Sequence, residues 1–576
     1  MFCRRTIILI VYLLGICTVI PSPVHIKFRH NVSGKPLLLD SLRYSKLGGE
    51  VFSVSRLSYL ISGLSFQRED GTWTIPNREI IWIDAFKRRD TFLINDLPKS
   101  IYKACRFYIG LDESTNKFHP NKYGPKHPLN PALNNLHWSW QGGYIFLALE
   151  GHYRKKSKRS GYSLHLARSA NRTLINVPML INHSSPTSII IDFDLASLLS
   201  SPHPLVFNKD GESTHSKKGD PIIDSLKSNL VVSFRVNNIV HEKALGLKNE
   251  TKRPLYLPEN YQPFPFKVAR TFPMPNLPTD NPLIQSRVRL GKRLFFDPIL
   301  SRDESISCAS CHEKNKAFTD GFSKSIGISG REGKMNSMPL FNLAWKKKFS
   351  WDGRVSSLRD QALMPITNHI EFDNSIETIV HKISKDKIYK SLFSKAFNDD
   401  AVTGEKIGLA LENYLLTLTS YDSKFDRAMS GKLEMTEIEK RGFELFMTEY
   451  EPRLASFGAD CFHCHGGALF TDNEFHDNGL KPKKLRNEEN RIFSTPSLRN
   501  VELTAPYMHD GRFKTLEEVV SHYTSSVHRS ETLDPNLAKH PVQGIQLNEL
   551  DQKAIVAFLK TLTDPQFQDT SPSLNK

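Results

Sequence analysis

The sequence has little cysteine to spare. Of seven cysteines in 576 residues, Cys3 and Cys17 lie near the N-terminus, Cys105 stands alone, and the other four belong to two Cys-x-x-Cys-His strings. No intramolecular disulfide is therefore expected, and the fold must rest on burial and cofactors. A structural zinc site needs four ligands, which the left-over cysteines do not supply. Long hydrophobic runs are also missing, since the apolar stretch from Thr6 to Ile20 is short for a bilayer span. That stretch follows Arg4-Arg5 and precedes Pro21-Ser-Pro23, the layout of an export signal over residues 1–22, with an uncleaved membrane anchor as the alternative. Acidic residues are the minority, 61 against 77 Lys and Arg for a formal charge of +16. No nucleic-acid motif accompanies this excess, and runs such as Arg154 to Arg159 and Lys346 to Lys348 are short and surface-like, so no nucleic-acid partner is expected.

The two strings are Cys308-Ala-Ser-Cys311-His312 and Cys461-Phe-His-Cys464-His465. Two thiols three positions apart can add to both vinyl groups of one porphyrin, and the adjacent His then reaches the iron from the same side. The spacing predicts two covalently bound haem c groups with His312 and His465 as proximal ligands. Haem of this type is attached outside the cytoplasm, which agrees with export and a periplasmic location.

The chain reads as multidomain. From Val24 to about Val236 the apolar pattern has period two, as in Ile189, Ile191, Phe193 and Leu195, or Leu230, Val232, Phe234 and Val236, and predicts an all-β sandwich over 23–240. Long loops are expected from Lys117 to Asn135 and from Phe207 to Asp220. Prolines at 254, 258, 263, 265, 273, 275, 278 and 282 mark a linker over 241–282. Beyond it the period is helical, over Glu405 to Thr419 and Asn548 to Leu562, and predicts a mostly α-helical di-haem cytochrome c with two cytochrome c-like domains, 283–432 and 433–566, and a tail over 567–576. No internal repeat is evident beyond the haem strings.

The text LGKRLFFDPILSRDESISCASCHEKNKAFTDG, with WDGRVSSLRDQALMPITNHIEF and PSLRNVELTAPYMHDGRFKTLEEVVSHY, resembles the di-haem cytochrome c peroxidase and MauG family over about residues 280 to 566. The resemblance implies a peroxidase whose first haem domain is peroxidatic. In the peroxidase branch a His after the first motif caps the first iron, whereas Gly327 to Asn336 contains none, which leaves that iron open unless Met335 or a lysine fills the position. On the second haem the position of the family's distal ligand falls on Tyr523, a hard anionic donor as in the MauG branch, with His522 as the competitor. Glu371 matches the distal glutamate that moves a proton between peroxide oxygens. Pro365 matches a lining residue that keeps other ligands out, and His369 is a further candidate beside it. Trp351 matches the tryptophan between the haems, and Asn336, Thr504 and Pro506 match an inter-haem calcium site.

The β half, with LHWSWQGGYIFLALEG over 136–151, His127-Pro-Leu, Tyr162-Ser-Leu-His165 and Ser213-Thr-His215-Ser, resembles the MbnP-like family of exported copper-binding proteins. In that family a partner enzyme oxidises a tryptophan to kynurenine, which helps bind copper. The resemblance makes Trp138 or Trp140 the modified residue and His127, His165 and His215 the copper ligands, with His137 and His183 in reserve. Together the two halves imply an exported enzyme that uses H2O2 to reach a shared high-valent di-haem state and oxidises a protein tryptophan in cis or in trans. The alternatives are a cytochrome c peroxidase fed by a small cytochrome or cupredoxin, and a non-enzymatic copper-binding electron relay.

Overall fold

The computed structural model describes residues 23–46, 48–138, 142–185, 187–241, 255–482 and 491–568. The export-signal segment, Trp140 and most of the tail lie outside them. Among the described residues no helix is long and apolar enough to cross a membrane.

Period-two sequence gives strands whose alternate side chains enter a shared core. In Thr173–His183 burial alternates at every residue, as expected where successive side chains point to opposite faces. Two sheets result. The smaller contains Val24–Val32 paired in parallel with Thr187–Asp194, and the larger runs from Thr173–His183 through Ser100–Ile109, Arg56–Arg68 and Ile145–Lys155 to Lys158–Ala167. Aromatic side chains fill the space between them: Phe28 meets Tyr59 at 6.0 Å and Phe107 at 5.8 Å edge to face, and Phe193 stacks on Phe234 at 4.2 Å.

Two stretches with strand-like alternation are helical instead. Leu195 opens the helix Leu195–Ser200, and Leu230 and Val232 end the helix Pro221–Val232. Asp194 and Asp220 cap them by accepting from the amides of Ala196 and Ile222, and Pro221 suits the first helical position. In the second helix Ile222, Ile223, Leu226 and Leu230 form the buried stripe, while Val231 and Val232 face solvent. Among its described residues, 255–282, the proline-rich stretch forms no helix or strand, but it is a packed strap rather than a loose spacer. Phe272 is fully buried at 5.3 Å from the ring of Trp345, whose Nε1 donates to the Pro273 carbonyl at 2.6 Å. Asn281 is equally buried and donates to the Leu409 carbonyl and to Glu412.

The helical half contains a repeat longer than the haem strings. In its first domain Gln285–Phe296 crosses Gly404–Leu416, and in its second Glu437–Met447 crosses Glu549–Lys560. A Cβ on Gly291 would stand 1.9 Å from the Ala410 carbonyl oxygen, and one on Gly442 1.9 Å from that of Ala554. Gly-x-x-Leu-Phe therefore recurs at 291–295 and 442–446 because each crossing needs a bare backbone.

The β half docks on the second haem domain. His152 Nε2 lies 2.7 Å from the Leu533 carbonyl, Arg453 pairs with Asp220 at 3.2 Å, and Gly161 leaves room for the Pro535 carbonyl. Asn135 donates to the Asp472 carbonyl and to Glu474, both at 2.9 Å.

Candidate functional site

The helix Cys308–Cys311 is one turn long, capped reciprocally by Ser307 and Ser310, and both cysteines line a cavity of about 410 Å³. His312 follows. Its Nδ1 donates to the Phe318 carbonyl at 2.7 Å, so Nε2 is the ring nitrogen offered to a metal, and burial lowers its pKa, keeping the imidazole neutral. Ala317 and Phe318 both adopt positive φ, which turns that carbonyl back onto the histidine.

Glu371, Pro365, His369 and Met335 line the same cavity. Burial raises the Glu371 carboxyl above its ordinary value, against the opposing hydrogen bond from Asn368 Nδ2 at 2.6 Å and the charge of Arg354. Pro365 sits within the helix Leu358–Thr367 and presents an apolar ring with no ligand atom. Lys346 lines the cavity without an ion pair among the described residues, and burial pushes its ammonium down to about 8. A haem propionate is the anion that such a lysine suits.

Cys461, Cys464 and His465 line a second cavity of about 210 Å³. The first arrangement repeats: His465 Nδ1 donates to the Phe470 carbonyl at 3.2 Å, and Phe470 again has positive φ. Phe-Thr-Asp at 318–320 and 470–472 is thus a second repeated signal. Two sets of paired thiols, each beside a neutral, oriented histidine and a cavity, fit two haem c groups.

Tyr523, on the helix Leu516–Ser525, lines this second cavity and accepts from Asn478 Nδ2 at 3.4 Å. His522 turns away, with Nε2 3.1 Å from the Asn478 carbonyl and its ring 5.6 Å from Phe513. Burial raises the Tyr523 phenol while Asn478 opposes, so a phenolate there requires a cation beside it. Trp351 lines both cavities, as do Asn336, Ser337 and Pro339. Its indole is 8 % exposed and donates to the Asn336 carbonyl at 2.9 Å, so it forms a wall shared by the two sites. Thr504 and Pro506 join Asn336 on the second cavity, which brings the three oxygen-bearing residues of the expected calcium site to one place.

In the β half, His165 and His215 come together with ring centroids 4.5 Å apart, and His463 of the second haem string joins them, 4.9 Å from His215 and 5.7 Å from His165. Burial, then the neighbouring His215, push the His165 imidazole down to about 3. Glu150 receives His165 Nε2 at 2.9 Å and Arg56 at 2.8 Å. Burial would raise the Glu150 carboxyl, but Arg56 and His165 hold it well below the carboxylate range. Trp138 is buried, its ring 5.8 Å from His215 and 6.4 Å from His165.

The other expected copper ligands do not join this group. His127 stacks on Tyr123 at 4.4 Å, and its Nδ1 accepts from the Leu129 amide at 3.1 Å, a turn-closing role that holds it elsewhere. His137 packs edge-on against Tyr144 at 4.6 Å, and buried His183 meets Thr187 at 3.3 Å. Sequence reasoning missed His463, Glu449 and Asn478. His463 occupies a variable position of its motif, and no spacing announces which domain faces it.

The description "Di-haem cytochrome c peroxidase" belongs to a family model that matches residues 285–434, and the MbnP family model matches residues 21–216. The methylamine utilization protein MauG of Methylophilus methylotrophus is 32% identical over 307 residues, 52% of this chain and 88% of that protein. The cytochrome c551 peroxidase of Nitrosomonas europaea is 34% identical over 295 residues, 48% of this chain and 80% of that protein. Among solved structures, a MauG-like protein associated with microbial copper homeostasis is 29% identical with a TM-score of 0.47, covering 53% of this chain and 97% of its own. The chain therefore belongs to the di-haem cytochrome c peroxidase and MauG family of peroxidases, with a β-rich region that matches the MbnP family model in front of its helical part.

Proposed function

We propose that this chain is an exported, MauG-like di-haem peroxidase that uses two equivalents of hydrogen peroxide to oxidise Trp138 of its own β domain to N-formylkynurenine, which water hydrolyses to a kynurenine with the excised ring carbon leaving as formate. The observation that supports this reading is the position of Trp138. It lines an interface cavity of about 90 Å³ together with Phe462, His463 and Gly466 of the second haem-attachment segment, so the expected target stands beside the expected oxidant.

When bound, the two haem c groups accept the oxidising equivalents of peroxide. The chain's residues do the rest. His312 and His465, each oriented through Nδ1 by a backbone carbonyl, would hold the irons through Nε2. Glu371 carries a proton between the two peroxide oxygens, and its raised carboxyl suits both accepting and returning it. Pro365 keeps that face free of competing ligands. Trp351, in the wall between the cavities, is the stepping stone for electrons drawn toward the first site. Tyr523 would be a ligand to the second haem's iron, and Asn336, Thr504 and Pro506 would hold a calcium ion. His165 and His215 are copper ligands beside the oxidised tryptophan.

Peptide mass spectrometry of the segment Leu136 to Glu150, before and after peroxide, tests the reading. Oxidation of Trp138 is expected in the wild type, slowed about 10²–10⁴-fold in Glu371→Gln, the usual worth of a general acid–base group. An unchanged Trp138 in the peroxide-treated wild type contradicts it.

A further inference from the structure

Among the described residues, three groups of side chains have ligand atoms close enough together for a metal: Cys464, His476 and Asp534; Glu449, Asp460 and His463; and His165, His215 and His463. Cys464 of the first belongs to the haem-attachment string. The second already holds a cation, because the Lys539 ammonium pairs with both Glu449 and Asp460. The third uses neither a haem-attaching thiol nor a carboxylate already paired with a lysine, although His463 lies between the two haem-attaching cysteines.

We infer that His165, His215 and His463 form one transition-metal site closed across the domain interface, and that the ligand from the haem-attachment loop couples its occupancy to the second haem. Each imidazole is already oriented through one nitrogen by a carboxylate: His165 Nε2 by Glu150 at 2.9 Å, His215 Nδ1 by Glu449 at 3.0 Å, and His463 Nε2 by Glu449 at 3.1 Å. That is the outer-shell arrangement in which a ligating histidine is held with its other nitrogen toward the metal. His165 Nδ1 and His215 Nε2 are buried with no hydrogen-bond partner, and His165 is 1 % exposed. Unpaired buried nitrogens are costly unless something else satisfies them, and two of them converging with a third imidazole point to a ligand.

The ligand atoms lie within 4.8 Å of one another. Two metal–nitrogen bonds of about 2.0 Å at a tetrahedral angle place their nitrogens about 3.3 Å apart, so modest side-chain rotation closes the site. An all-imidazole set excludes calcium and magnesium, which take oxygen, and favours copper over zinc and nickel by the ordinary order of divalent affinities. Neither half of the chain holds all three ligands. His463 also lines the second haem cavity and is joined directly to Cys464. A metal drawn to His463 therefore bears on the second haem, and by linkage the haem's oxidation state bears on metal affinity. The inference extends the copper role of His165 and His215 and does not depend on oxidation of Trp138, although the coupling rests on haem attachment at Cys461 and Cys464.

The test uses the full-length di-haem protein, stripped of copper and titrated with Cu²⁺ or Zn²⁺ alone. One tightly held Cu²⁺ per chain is expected, with a paramagnetic resonance pattern of three imidazole nitrogens. A shift of the second haem's absorption or reduction potential should saturate at the same equivalence. In His463→Gln, which keeps both thiols and His465, Cu²⁺ binding should weaken by at least about tenfold, since loss of even an orienting partner costs that much, and the haem shift should vanish. If that variant fails to load haem, His215→Gln on the β side carries the same expectation. Unchanged affinity in these variants, no stoichiometric binding in the wild type, or copper binding without any haem response overturns the inference. Parallel titration of Trp138→Phe, which keeps all three imidazoles, separates failure here from failure of the tryptophan reading.

Discussion

Glu371 shows how one side chain acquires a task from its surroundings. Burial raises its carboxyl, and Asn368 limits the rise. In the role proposed for Glu371 the carboxylate is the proton-accepting form, so activity should be complete above the raised pKa and lost as pH falls through it. Peroxide turnover should therefore have an acid limb with its midpoint above the ordinary glutamate value of about 4.3, and Glu371→Gln should abolish that limb. A stopped-flow pH profile checks this, and an identical acid limb in the variant would assign the proton to another group. The haem thiols and proximal histidines were legible from spacing alone, because thioether chemistry fixes it. Glu371, Trp351 and Tyr523 are picked out only by family resemblance, since an isolated Glu, Trp or Tyr carries no sign of the cavity it will face, and the structure sets all three on the two cavities. His127 lies apart from His165 and His215, and a histidine before a proline looks the same in sequence whether it closes a turn or binds a metal.

At the scale of elements, periodicity served where one face is buried and failed where caps decide. Thr173–His183 and Glu549–Lys560 follow their patterns, whereas Leu230 and Val232 imitate a strand within a helix started by Asp220-Pro221. The paired helix crossings make a sharper prediction. Replacing Gly442 by Ala puts a methyl group 1.9 Å from the Ala554 carbonyl oxygen, and overpacking of this kind costs about 1–3 kcal/mol. Gly124→Ala, with nothing within 4 Å of the added carbon, should change stability by no more than about 0.5 kcal/mol. Denaturant unfolding of the two variants compares them directly. Equal stabilities would mean that the crossing is looser than its geometry.

For the whole molecule, the question is where enzyme and substrate meet. Separate halves were readable from the change of apolar period across the proline-rich stretch, but their mutual orientation was not, because interface residues such as Gly161, Arg453 and His463 carry no period or motif that names their partner. Trp138 and the second haem-attachment loop line one cavity within one chain, so the proposed oxidation is expected to run in cis. It is tested by mixing isotopically labelled Glu371→Gln, which keeps Trp138 but has impaired peroxide chemistry, with unlabelled Trp138→Phe, which keeps the chemistry but has no target. After peroxide, mass spectrometry should find the labelled Trp138 no more oxidised than in Glu371→Gln alone. Labelled Trp138 oxidised at a rate near that of the wild type would contradict the account.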